Sequence, residues 1–368
     1  MRALRIAAFR IKKKCLTTGG EKVNLEYAQI LENMNGVQVD YLDWQDIGLQ
    51  AVSEMPGTKL YKIWMAFRGQ FLCVRGCGCW GQYDAVIFGS FIGMRIIPLL
   101  SRMKKKYPHT QLVCILHHYL CDEYKNVKRI LTACIQSRVL YLSDQLLYTC
   151  YPIYDETIRR NLQPVKKCRY IGICFDKQIR EDTSPIHGNI LCISSIMRHK
   201  GIHRLVQACT LMKGKAEFHV DIVGRVMEDE YANSLKQYCN ANGLKDIVSF
   251  HGRISEEEKE QMLLEADIFA FPSLQEGFGI AMIEAMEKGI PVVAFNNSAI
   301  PYTVKNEENG LLVQEDNVQG FADALLRIIS DDALRERLSA GAYLTAKECP
   351  DRTEVEHRLE KFVGELSV

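Results

Sequence analysis

Apolar runs of strand length alternate with stretches of helical period along most of this chain. Leu4 to Phe9, Val39 to Leu42, Ala85 to Gly89, Gln111 to Leu116 and Gln145 to Cys150 read as strands, and Lys167 to Ile173 closes the first half. Between them Val23, Tyr27, Ile30 and Met34 recur at helical spacing, which predicts a helix opening at Thr17-Thr18-Gly19-Gly20. Further helices are predicted over Ile96 to Lys106, Tyr124 to Ser143 and Asp155 to Leu162. The alternation resumes with strands at Asn189 to Ile196, Phe218 to Gly224, Ile247 to Phe250, Ile268 to Phe271, Val292 to Phe295 and Gly310 to Val313. A helix is expected from about Glu228 to Asn242, and Ser255-Glu256-Glu257-Glu258 has the form of a capping box. One long helical region starts near Val318, Pro350 breaks it, and Val355 to Leu366 forms a last helix. Mostly continuous apolar strands suit parallel sheets covered on both faces. A polar, turn-rich stretch at about 176–188 separates the halves. The pattern therefore predicts an α/β protein with Rossmann-like domains at 1–180 and 181–345, followed by a C-terminal helical segment at 346–368.

Composition adds little to that picture but excludes some partners. At 368 residues the chain is long enough for two domains. A net charge of +1 gives no global electrostatic case for nucleic acid. Fourteen cysteines without a short, dense framework fit a reducing cytosol. Arg5 and Arg10 interrupt the apolar start, so no signal-peptide core forms, and no uncharged run reaches the roughly 18 residues of a membrane span. Local charge is more informative. In residues 59–76, Leu60, Ile63, Trp64, Phe67 and Phe71 make one helical stripe flanked by Lys59, Lys62, Arg68 and Arg75, and Lys104-Lys105-Lys106 form a second cationic patch. Such a stretch is either a sheet-packed helix with a solvated rim or a surface for an anionic membrane. Cys73, Cys77 and Cys79 match no common zinc spacing and read as free thiols. The expectation is a cytoplasmic protein with peripheral contact at the inner face of the membrane.

The chemistry gathers in residues 268–297. Ile268 to Phe271 is a strand, a loop delivers Glu276, and Gly277-Phe278-Gly279 open a helix on which Ile280, Ile283 and Met286 share a face. Bare backbone N–H groups at a helix start attract an anion. Glu276 and Glu284 flank that point as acceptors for hydroxyl groups. An acid near a helix start can also serve the dipole alone. A diphosphate on the amides and sugar hydroxyls on the carboxylates together describe a nucleotide sugar.

The string Pro272, Ser273, Glu276, Gly277, Phe278, Gly279, Glu284, Ala285, Met286, Gly289, Pro291, Val292 resembles the E-x7-E segment of retaining GT-B glycosyltransferases, family 4. The resemblance is dense over 189–345 and implies two Rossmann-like domains facing a central cleft, with the C-terminal helix crossing back to the first. It implies retaining transfer of a hexosyl group from a nucleoside diphosphate sugar to a glycan or lipid-linked acceptor in cell-surface synthesis. In that reading Glu276, His117 and Lys200 are catalytic. His117 or His118 ends a buried strand against the donor sugar, with His117 the better fit after the apolar pair. Donor binding falls to Gly19, Gly20, Ser195, Arg198, Lys200, Arg253, Ile254, Glu276, Gly277, Phe278, Gly279 and Glu284. Glu284 takes the ribose, Glu276 the sugar, and the turn at Arg253 and Ile254 the base through backbone. Ser195 stands where the resembled motif has an arginine, with Arg198 on the same loop as a substitute; an arginine fork and a lysine point charge are not equivalent. No cofactor or metal is expected. The alternatives are a non-catalytic nucleotide-sugar-binding protein of the same fold, a GT-B epimerase or phosphorylase, and a dinucleotide oxidoreductase suggested by Gly19-Gly20, which lacks a G-x-G-x-x-G.

Overall fold

The structure is a computed structural model that describes residues 4–10, 19–43, 80–89, 97–117, 126–175, 185–274, 276 and 279–366. The chain divides into two compact units, Met1–Cys174 with Pro350–Val368, and Phe175–Cys349. The chain passes between them at 174/175 and 349/350, where the sequence predicts 180/181 and 345/346.

In the first unit the strands are β1 (Leu4–Arg10), β2 (Val37–Asp43), β3 (Ala85–Gly89), β4 (Gln111–Leu116), β5 (Gln145–Tyr148) and β6 (Cys168–Tyr170). They form one sheet in the order β2-β1-β3-β4-β5-β6, and every pairing is parallel. The helices are α1 (Gly19–Glu32), α2 (Ile97–Lys106), α3 (Asn126–Leu142) and α4 (Tyr151–Arg159). Helix α1 buries Val23, Tyr27, Ile30 and Leu31. It stops at Glu32, so Met34 lies beyond the predicted stripe. Pro152 in the first turn of α4 needs no intrahelical N–H, and the helix starts four residues earlier than the sequence pattern predicts.

The second unit repeats the design. Its strands are β7 (Asn189–Ile193), β8 (His219–Val223), β9 (Val248–Gly252), β10 (Ile268–Phe271), β11 (Val292–Asn296) and β12 (Gly310–Gln314). The order β12-β11-β10-β7-β8-β9 is again wholly parallel. The helices are α5 (Ile202–Met212), α6 (Asp229–Ala241), α7 (Glu256–Glu265), α8 (Ile280–Glu287), α9 (Ile300–Thr303), α10 (Val318–Ser330) and α11 (Asp332–Glu348). The predicted capping box is formed: Ser255 Oγ accepts from Glu258 N and Glu258 Oε2 accepts from Ser255 N. The long helical region after Val318 is two helices, because Asp331 leaves helical geometry and its carboxylate caps α11 at Leu334 N, 2.9 Å away.

The last helix, α12 (Arg352–Leu366), belongs to the first unit. Arg169 donates to Glu365 Oε2 from Nε at 2.9 Å and from Nη2 at 2.6 Å, and Arg358 Nη1 reaches the Ile171 carbonyl at 2.9 Å. Among the described residues no helix is long and apolar enough to cross a membrane.

Candidate active site

In an open parallel sheet the strand order reverses at one point, and the loops at the carboxyl ends of the two strands there diverge to leave a crevice for ligands. The second unit reverses between β7 and β10: β8 and β9 follow β7 on one side, and β11 and β12 follow β10 on the other. The loop after β7 carries Ser195, Arg198 and Lys200, and the loop after β10 carries Glu276. Sequence positions far apart thus meet because the chain winds both ways from a central strand pair.

Backbone contacts fix the two loops together. Gly201 has φ of +67°, and a Cβ there would stand 1.9 Å from the Pro272 carbonyl oxygen. Only glycine combines that dihedral with that approach. The Leu274 N–H donates to the His199 carbonyl at 2.9 Å. With the loops so joined, Lys200 Nζ lies 2.7 Å from Glu276 Oε2, and both side chains are largely buried. Ser273 Oγ also donates to Glu276 Oε2 at 3.4 Å. Gly279, at φ +76°, caps α8, and Met282 N donates to its carbonyl at 2.8 Å. Helix α8 buries more than the one face predicted: Met282, Ala285, Ile283 and Met286 are all buried, so Glu284 has a narrow outlet.

Glu284 emerges beside α7. Its Oε1 accepts from Lys259 Nζ at 3.1 Å, and the same ammonium reaches Glu256 Oε2 at 2.6 Å. Burial disfavours the Lys259 charge, but Glu284 and Glu256 outweigh burial and raise its pKa above the ordinary lysine value. Each acid of the pair therefore has its own lysine, and each ammonium keeps donors to spare. Lys259 escaped the sequence reading: nothing in a run of Glu and Lys on a capped helix distinguishes a solvated lysine from one turned toward the next helix.

Arg198 is exposed and lies over the Tyr231 ring, guanidinium carbon 5.4 Å from the centroid. The Tyr231 hydroxyl accepts from His203 N at 3.0 Å and contacts His203 Nδ1 at 2.9 Å. Burial, then Arg204, lowers the His203 pKa, which favours the neutral ring. Tyr231 thus seats Arg198, another partner the sequence did not reveal. Ser195 lies where Gly224, at φ +151°, brings β8 against the loop; a Cβ on Gly224 would stand 1.9 Å from the Ser194 carbonyl oxygen. Arg253 and Ile254 follow β9, away from the reversal point.

In the first unit the order reverses between β1 and β3. Gly19 and Gly20 start α1 after β1. His117 directly follows β4, its Nε2 3.0 Å from Asn24 Oδ1 on α1 and its Nδ1 3.0 Å from Thr149 Oγ1 after β5. Residues Gly277, Phe278, His118 and the 59–76 stretch, with Cys73, Cys77 and Cys79, lie outside the described residues. Among the described residues no group of three or more His, Cys, Asp or Glu side chains is set to hold a metal ion.

Two parallel six-stranded α/β units of this kind define the GT-B fold. Over 99% of both chains it matches sucrose-phosphate synthase from Thermosynechococcus elongatus, with a TM-score of 0.78 at 18% identity. It also matches Anabaena Alr3699/HepE in complex with UDP and glucose, over 98% of this chain and 100% of that one, with a TM-score of 0.71 at 17% identity. Residues 177–345 match the family model described as Glycosyl transferases group 1, so the chain carries a group 1 glycosyltransferase domain in its second unit. Among curated proteins it is 36% identical over 124 residues to the D-inositol 3-phosphate glycosyltransferase of a Nocardioides strain. It is 32% identical over 151 residues to the amylovoran biosynthesis glycosyltransferase AmsK of Erwinia amylovora. These segments are 32% and 39% of this chain and span only 27% and 36% of those relatives' own length.

Proposed function

We propose that this protein transfers a hexosyl group from a nucleoside diphosphate sugar to an acceptor hydroxyl, with retention, as a family 4 enzyme of glycan or glycolipid synthesis. The observation that carries this reading is the doubled arrangement at α8, Lys200 with Glu276 and Lys259 with Glu284. Glycosyl transfer must stabilise charge that develops on a departing diphosphate, and preorganised cations and amides do this best. Lys200 is already fixed, and turning one of its N–H bonds from Glu276 to the diphosphate costs little reorganisation. Glu276 then orients the sugar hydroxyls, and Glu284, steadied by Lys259, accepts from the ribose. Arg198 adds a second cation from the same loop. His117 on the first unit is the proposed contact for the sugar, and Gly19 and Gly20 allow close backbone approach. Arg253 and Ile254 are proposed for the base. The lysines are the countercharge in this reading, and no metal is invoked.

The test is incubation with UDP-, GDP- and ADP-hexoses and a membrane extract as acceptor source. One donor should lose its nucleoside diphosphate as the sugar appears on the acceptor with its anomeric configuration kept. Ser195, in place of the motif's arginine, favours one rival, a binding protein without transfer. Tight nucleotide binding with no sugar release or transfer would establish that rival. Binding of none of the donors would remove both.

A further inference from the structure

Helix α3 is apolar on both its buried and its exposed side. Its inward side buries Thr132 and Gln136 beside Val139 and Leu140, and the next residue after the helix, Ser143, is buried too. Its outward side carries Val127, Ile130, Leu131, Ile135 and Tyr141, all between 42% and 70% exposed, with exposed Cys134 in the same row. The spacing of three, four and seven residues puts these on one stripe along the whole helix. Scattered exposed apolar residues need no explanation, but a continuous stripe opposite buried polar groups does.

The charge around the stripe says what covers it. The sequence of α3 contains three basic residues and no acidic one. Arg138 lies over the outer ring, Tyr141, at 5.3 Å. Helix α2, packed beside α3, exposes Arg102, Lys105 and Lys106. At the other end Lys167 Nζ donates to the Leu140 carbonyl at 3.1 Å, and that attaches a turn with exposed Val165 and Lys166. The adjacent acid, Asp144, is paired to Lys104 and accepts from Leu112 N. An apolar strip with an aromatic end and a basic border is complementary to the headgroup region of an anionic bilayer. It is poorly complementary to itself: a two-fold pairing of this face would bring the basic borders together.

We propose that the outward face of α3 docks on an anionic membrane surface, with Ile130, Leu131 and Ile135 entering the acyl boundary and Arg138, Lys105, Lys106 and Lys166 meeting lipid phosphates. This docking is independent of the transfer reading, and vesicle binding is measured without any donor or acceptor. The experiment is flotation of the full chain with phosphatidylcholine vesicles, with and without phosphatidylglycerol. The protein should float with the anionic vesicles, weakly with the neutral ones, and less as salt rises. The exposed-site double substitution Ile130→Glu/Leu131→Glu should lower partitioning about tenfold or more, because two apolar side chains are replaced by charges in an anionic layer. Circular dichroism and the thermal midpoint of the variant should match the parent. As a readout that needs no variant, alkylation at Cys134, followed by peptide mass spectrometry, should be fast in solution and slowed by anionic vesicles. Equal partitioning of parent and variant overturns the proposal. So does a Cys134 already protected in solution, which means that another segment or copy of this chain covers the stripe. A dimer in light scattering that the substitutions dissolve overturns it in the same way.

Discussion

The two units share a plan and differ in what their described residues bring together at the carboxyl ends of the strands. The second unit brings two lysine–glutamate pairs together there, one of them, Lys200 with Glu276, seated by a backbone contact that admits only glycine at Gly201. Among the described residues of the first unit, an amide, an imidazole and a hydroxyl meet, Asn24 on α1, His117 after β4 and Thr149 after β5. The contrast teaches that sheet topology fixes where a ligand sits, whereas the loops decide what kind. A fixed set of cations suits an anionic group such as the proposed diphosphate. An amide, an imidazole and a hydroxyl suit a hydrogen-bonding group such as a sugar hydroxyl.

The sharpest way to break this contrast is Glu276→Ala. Transfer should fall about a thousandfold, a loss near 4 kcal/mol of transition-state stabilisation, while far-UV circular dichroism stays unchanged. Near-normal kcat in that variant would end the role given to Glu276. Next in size, Gly201→Ala should destabilise the second unit by about 2–4 kcal/mol, because the new Cβ meets the Pro272 carbonyl in a left-handed backbone. A thermal midpoint equal to the parent's would show that the two loops are not locked as described.

Much of this was legible in the sequence, for reasons that particular residues make plain. Continuous apolar runs revealed the parallel strands, and Ser255 with Glu258 revealed a cap that forms as written. Glu276 stood out beside the glycines that open α8 and Lys200 only through the family resemblance, and the fold brings them together across 76 residues. Lys259 and Tyr231 stayed hidden, since their roles depend on which way a side chain leaves its helix. The break at Asp331 was missed because helical periodicity continues on both sides of it. The exposed stripe of α3 was read only as part of a helix, because apolar spacing marks a stripe without saying which side faces the sheet.

Smaller effects sharpen the contrast. His117→Ala should lower transfer about tenfold and leave nucleotide affinity unchanged, since His117 is proposed to meet the sugar and not the diphosphate. Equal losses in both would place a charge-binding role on His117. Lys259→Met should weaken nucleotide binding only a few-fold, by loosening Glu284. The raised pKa of Lys259 keeps its ammonium charged through neutral and mildly alkaline pH, and that charge is lost only as pH rises above the ordinary lysine range. Parent and variant should therefore differ by a constant factor from neutral pH to mildly alkaline pH. A difference that grows or shrinks in that window would show that Lys259 titrates there.

The most direct test of the charged seat is calorimetric titration of the parent, Glu276→Ala and Glu284→Ala. Each is titrated with the active nucleoside diphosphate sugar and with the free nucleoside diphosphate. Glu284→Ala should weaken both ligands alike, by about tenfold or more, through the ribose they share. Glu276→Ala should erase only the increment that the sugar adds, and should spare or tighten the free diphosphate because Lys200 is released to it. Indistinguishable affinities of all three proteins for both ligands would contradict the account.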